Sequence, residues 1–86
     1  MSVKPLPKWI MQRYALLWEN FKTKEFTYKE SSRILNEKDE RVIGVVLFYL
    51  KKYGWLTVRS HPLNSRIRTY QLKSWEVALK EMLTPA

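Results

Sequence analysis

The spacing of apolar residues divides the chain into helical and extended stretches. Ile10, Tyr14, Leu17, Trp18 and Phe21 recur at three- and four-residue intervals and predict a first helix, with Pro7 as its first residue, where a missing N–H costs nothing. Trp9, Met11 and Leu16 fall outside that stripe, so this helix carries apolar surface on more than one face. Either it is a central core helix, or its second face forms a dimer seam. Phe26 begins a very short strand. Thr27 and Glu30 then make a capping box for a second helix over 28–35, with Ser31, Ile34 and Leu35 inward and Lys29 and Arg33 outward. Asn36 either stops that helix or caps the next. The third helix spans 38–53, with Ile43, Val46, Leu47 and Leu50 inward. Its acids, Glu37, Asp39 and Glu40, cluster at its start and Lys51 and Lys52 at its end, as its macrodipole favours. Gly54 supplies a left-handed cap.

Beyond Gly54 the period changes to two. Leu56 and Val58 alternate with Thr57 and Arg59, and the stretch 61–65 (HPLNS) is a turn by composition. The stretch 66–72 returns with Tyr70 and Leu72 on one face and Ile67, Thr69 and Gln71 on the other. Such a pair of runs reads as a β-hairpin. Ser74 caps a last helix carrying Trp75, Ala78, Leu79 and Met82 and ending at Pro85. The four tryptophans, Trp9, Trp18, Trp55 and Trp75, are most simply core or helix-docking residues.

A chain of 86 residues has room for one domain, here 1–86: an extended arm over 1–7, a core over 8–73 and a C-terminal helix over 74–84. A hydrophobic content of 45% separates it from disordered chains. Without cysteine it has neither disulfides nor thiolate metal sites, as suits a reducing compartment. No apolar run reaches the roughly 18 residues of a membrane span, and the first residues lack a signal-peptide pattern. A cytoplasmic location is expected.

Charge changes the picture most. The net charge is +8, and no Asp or Glu occurs between Arg41 and Trp75, an interval holding Lys51, Lys52, Arg59, Arg66, Arg68 and Lys73. A helix followed by a basic hairpin presents positive charge to a polyanion, nucleic acid first and acidic protein or anionic membrane surfaces next. Catalysis has little to build on: two glycines exclude a Gly-rich phosphate loop, and the acids are explained by helix caps and solvation. His61 has no second residue spaced to share a metal. The expectation is a non-enzyme without cofactors.

The element order is helix, short strand, helix, helix, hairpin, helix. With Leu50-Lys51-Lys52-Tyr53-Gly54-Trp55-Leu56 stepping into the hairpin and Arg66-Ile67-Arg68-Thr69-Tyr70-Gln71-Leu72 returning, it resembles the winged helix-turn-helix superfamily. The likeness is greatest to compact transcription regulators of bacteria and archaea, and it covers Trp9 to Leu72. The resemblance implies an α+β fold: a three-helix core, a small antiparallel β-sheet wing and a C-terminal helix. It also implies a transcription regulator that binds double-stranded DNA.

Carried over by position, the base readers are Lys38, Arg41, Val42, Val45 and Phe48, and the wing contacts are Arg59, His61, Asn64, Ser65, Arg66 and Arg68. Lys29, Arg33 and the amides opening the second helix would meet phosphate. A homodimer would use 75–83 and the second face of the first helix. The sequence departs from the pattern in one respect. The reading face offers Gly44, Val45, Phe48 and Tyr49, which make few hydrogen bonds to base edges, and Glu37, Asp39 and Glu40 repel phosphate. That leaves weakly specific binding through the wing, or a protein partner on Val45, Phe48 and Tyr49. In the second case the chain is a winged-helix interaction module, a subunit of a replication, transcription or membrane-remodelling complex.

Overall fold

Local chemistry accounts for most element boundaries in the computed structural model, which describes residues 3–61 and 63–83, with the side chains of His61 and Ser65 outside the description. Helix α1 spans Lys8–Phe21, burying Ile10, Tyr14 and Leu17. Pro7 stands one position before it, as the N-cap, and its carbonyl accepts the Met11 N–H at 2.9 Å. Expected as the first helical residue, Pro7 instead has ψ 150, an extended value that places it outside the helix. Trp9, Met11 and Leu16 are exposed. The helix ends in a hydrogen-bonded turn: the Lys24 N–H donates to Phe21 O at 2.8 Å, with Lys22 at φ 52 and ψ -120. Those angles are those of the second residue of a type II′ turn, a position that favours glycine.

Strand β1, Phe26–Thr27, runs directly into α2, Tyr28–Leu35. The capping box is complete: Thr27 Oγ1 accepts the Glu30 N–H at 3.2 Å and the Glu30 carboxylate accepts the Thr27 N–H at 3.0 Å. Asn36, left-handed at φ 48, closes α2 through its N–H to Ser32 O, so it is the stop. Asp39 is the cap of α3, accepting the Arg41 N–H at 2.9 Å. Helix α3 is therefore Glu40–Lys52, starting later than the expected 38 because Asp39 is extended.

The end of α3 is a Schellman closure. Gly54, at φ 87, donates to Lys51 O at 3.2 Å, and Trp55 N–H donates to Leu50 O at 2.8 Å. Buried Leu50 and Trp55 supply the accompanying apolar contact. Strand β2, Leu56–His61, and β3, Asn64–Leu72, follow, and the sheet order is β1-β3-β2, antiparallel throughout. The register runs from Leu56 opposite Leu72 to Ser60 opposite Arg68, then shifts so that His61 faces Asn64. The composition-based turn is thus too long: His61 and the pair Asn64–Ser65 belong to strands, leaving 62 and 63 between them. Position 62 lies outside the described residues.

Helix α4, Trp75–Leu83, buries Ala78 and half-buries Met82. Trp75 and Leu79 are exposed, because the helix meets the core over a narrow strip around Ala78. A 2.6 Å ion pair from Lys73 to Glu81 ties it back to the end of β3. The expected stop at Pro85 lies outside the described residues.

The core gathers around Trp55, 1% exposed, whose Nε1 donates to Lys4 O at 2.8 Å while Lys4 N donates to Tyr53 O at 3.0 Å. These bonds dock the N-terminal segment and bury Val3. Tyr14 meets Trp55 edge-on at 5.0 Å, and its hydroxyl donates to Lys73 O at 2.7 Å. Among the described residues, every buried side-chain nitrogen or oxygen has a partner. None of their helices is long and apolar enough to cross a membrane.

Two outcomes are expected. Lys22→Gly relieves the positive-φ strain and raises the unfolding free energy by about 1 kcal/mol in urea denaturation. Desolvation pushes the Tyr14 hydroxyl from 10.0 up to about 12. The unfolded chain therefore loses this proton first, and the associated stability, full below about pH 10, is lost as pH rises toward about 12. Tyr14→Phe loses about 1 kcal/mol near neutral pH. It also shows a smaller decline between about pH 10 and about pH 12 than the parent, read as the difference between their urea curves.

Candidate nucleic-acid interface

The helix-turn-helix is held together where its helices begin. Tyr28, first in α2, donates its hydroxyl to Glu40 O at 3.1 Å, joining the starts of α2 and α3 across the 36–39 turn. On the outward side of α3, Arg41, Val45, Phe48 and Lys52 form one stripe, with Gly44 and Lys51 beside it. Val42 is half-buried against the core and Tyr49 is half-buried between Phe48 and Tyr53, at ring distances of 5.6 and 5.7 Å. Of the apolar face read from the sequence, only Val45 and Phe48 are therefore fully presented. Phe48 is 59% exposed.

Electrostatics divide this helix. Arg41 Nη2 and Nε donate to the Asp39 carboxylate at 3.0 and 3.2 Å. Its guanidinium holds that carboxyl below its ordinary range, helped by the backbone N–H of the same residue. Glu37 is taken by Arg13 of α1 at 2.9 Å. The start of α3 is thus balanced at Asp39 and Glu37. Its end is not: Lys51 and Lys52 join none of the ion pairs among the described residues, nor do Arg59, Arg66 and Arg68.

The sheet pleat distributes the wing residues. Val58 turns inward, so Arg59, opposite Thr69, points to the other face. Arg68, opposite Ser60, shares the inward parity of Tyr70 and reaches toward α3. Arg66 lies in the irregular stretch of β3 facing the register shift, and its N–H donates to Asn64 Oδ1 at 3.0 Å, so the Asn64 side chain shapes the wing tip. Asn64 and all three arginines are exposed. The side chains of His61 and Ser65 lie outside the described residues. Lys29, Arg33 and Lys38 are exposed on and after α2. The α2 N-terminus already carries the Glu30 carboxylate, so it is a poorer phosphate seat than its dipole alone implies.

Between α3 and the wing is an open groove of about 220 Å³, lined by Tyr28, Gly44, Leu47, Phe48, Lys51, Val58, Arg68 and Tyr70. It brings Phe48 and Arg68 together and adds Lys51, Tyr28 and Tyr70, which sequence reasoning had not placed at the interface. For Lys51 a signal existed in the acid-free interval, but the helix dipole already explained that residue. A second groove of about 430 Å³ lies between α1 and α4, lined by Met11, Tyr14, Ala15, Trp18, Glu19, Lys22 and Trp75. Among the described residues, no group of His, Cys, Asp or Glu is placed to hold a metal ion.

No family model matches the chain, and no curated protein matches it in sequence. Among solved structures, the adhesin competence repressor (AdcR) of Streptococcus pyogenes superimposes with a TM-score of 0.59 at 16% identity, over 84% of this chain and 53% of that one. The YusO protein of Bacillus subtilis gives 0.57 at 10% identity, over 90% and 52% respectively. The chain spans about half the length of each neighbour. At these identities the likeness is one of fold. The chain is an α+β winged helix-turn-helix, with a three-stranded antiparallel sheet as its wing.

The Asp39–Arg41 pair is open to direct measurement. In Arg41→Ala the carboxyl loses the guanidinium, its largest stabilising partner, and keeps the backbone N–H. Its NMR titration midpoint should rise toward the ordinary aspartate value while the chain stays folded. An unmoved midpoint would mean that the pair does not persist in solution.

Proposed function

We propose that this winged helix-turn-helix is a DNA-binding protein that regulates transcription, working as a binding protein rather than an enzyme. One observation carries the reading: the acid-free interval folds into the end of α3 and the adjoining wing, so Lys51, Lys52, Arg59, Arg66 and Arg68, which join none of the ion pairs among the described residues, stand on neighbouring elements. Arg59, Arg66 and Arg68 contact phosphates, assisted by His61, Asn64 and Ser65 at the wing and by Lys29 and Arg33 from α2. Helix α3 enters the major groove with Lys38, Arg41, Val42, Val45 and Phe48 toward the bases. Its apolar residues suit thymine methyls, and Arg41 is partly engaged by Asp39, so affinity comes mainly from phosphate and sequence discrimination is weak. The neighbour from Streptococcus pyogenes is named as a repressor, which agrees with this reading.

The protein acts in the cytoplasm as a homodimer. The exposed Trp9 and Leu16 of α1, together with Trp75, Val77, Leu79 and Leu83 of α4, supply the apolar surface for a two-fold contact. Such symmetry places two wings on half-sites about one helical turn apart. A second reading is favoured by a specific feature, the exposure of Val45 and Phe48 on the face meant for bases. There α3 docks on a protein, and the chain is a subunit of a larger replication, transcription or membrane-remodelling complex.

Fluorescence anisotropy on a labelled random duplex across a salt series separates the two. The DNA reading expects micromolar or tighter binding that weakens steeply with salt. Each of Arg59→Ala, Arg66→Ala and Arg68→Ala should lower the slope of log affinity against log salt by about one. Absence of binding at low salt defeats the DNA reading and turns attention to a protein covering Val45 and Phe48.

A further inference from the structure

Duplex binding employs Phe48 and Arg68 but leaves the rest of the groove between α3 and the wing unexplained. The groove is lined by the apolar Leu47 and Val58, by the aromatic Tyr28, Phe48 and Tyr70, and by the cations Lys51 and Arg68, with no acid among the lining residues. Lys52 adds a further cation, its Nζ 5.9 Å from the Phe48 ring centroid. A purely apolar ligand would gain nothing from these cations, and a bare phosphate nothing from the rings. A flat aromatic group joined to an anion uses both. In duplex DNA the phosphates are outside but the base faces are covered by their neighbours, so a B-form helix cannot offer a ring to Phe48.

Gly44 is a separate observation. It lies in the middle of α3, where glycine is a poor helix former. A Cβ at this position would meet nothing within 4 Å, so close packing does not require glycine there. What its missing side chain does is keep the rim of the groove low, since Gly44 is one of the lining residues.

We propose that this groove binds an unpaired nucleotide, its base stacked among Phe48, Tyr28 and Tyr70 and its phosphate between Lys51 and Arg68. The inference deepens the nucleic-acid reading and rests on it. The wing and α3 hold duplex while the groove takes the first nucleotide beyond it, so the preferred target is a junction where duplex opens into single strand. Stacking of this kind tolerates any base, because every base has a π-face.

The test uses the full chain and two labelled probes at matched salt: a blunt random duplex, and the same duplex with a short thymine overhang. The overhang should bind about tenfold more tightly, the scale of one base stacked on an aromatic side chain. Phe48→Ala and Gly44→Leu should each abolish that ratio, whatever they do to the blunt duplex, since one removes the ring and the other fills the rim. An overhang carrying 5-iodouracil should photocrosslink to the peptide containing Phe48. Equal affinity for both probes overturns the nucleotide site and leaves duplex binding standing. Binding of the overhang alone supports the site and overturns duplex binding. A preference that survives both substitutions, or no binding to either probe, overturns the site.

Discussion

The structure depends on how the chain leaves α3. Gly54 takes φ 87, which a side chain would resist, and this lets Trp55 fold back so that its N–H closes on Leu50 O. The indole is then almost fully buried, its Nε1 bonded to Lys4 O and its ring in a T-shaped contact with that of Tyr14. Tyr14 in turn bonds Lys73 O at the end of the wing. One turn therefore fixes the N-terminal segment, α1, α3 and both ends of the hairpin relative to one another. The angle between α3 and the wing, and with it the width of the groove between them, follows from that arrangement.

Charge is distributed in the same direction as the chain. Three acids before Arg41 are engaged: Glu30 in its capping box, Asp39 at the α3 cap and on Arg41, and Glu37 on Arg13 of α1. Among the described residues, none of the ion pairs reaches the arginines of the hairpin that follows. Lys51, Lys52, Arg59, Arg66 and Arg68, which join none of the ion pairs among the described residues, thus follow one another on the end of α3 and the hairpin with no acid between them in the chain. A surface built in this way attracts phosphate at long range and loses that attraction in salt. Exposed Phe48 beside those cations gives the same surface a short-range component that salt does not screen.

The features legible in the sequence were those whose partners lie within a few residues. The Thr27–Glu30 box, the left-handed Asn36 and Gly54, the inward stripe of α3 and the change of period at Leu56 are all local, and the fold followed from their order. Boundaries were less secure where neighbouring residues compete for one role, as at Lys38 and Asp39, or Pro7 and Lys8. The turn-rich composition of 61–65 could not reveal that His61 faces Asn64, because composition carries no register. Nor could the helical spacing of Trp75 and Leu79 show that little core lies opposite them.

By itself, then, the sequence determined the secondary structure, the order of its elements and the sign of the surface, since each arises from contacts or sums along the chain. The tertiary structure alone decided which charges remain unpaired, which arginines share a face and which rings stay exposed. Arg13 and Glu37 are far apart in sequence, as are Phe48 and Arg68. Whether such residues meet depends on strand register and helix packing angle, and those are set only when Trp55 is buried and the wing has closed against α3.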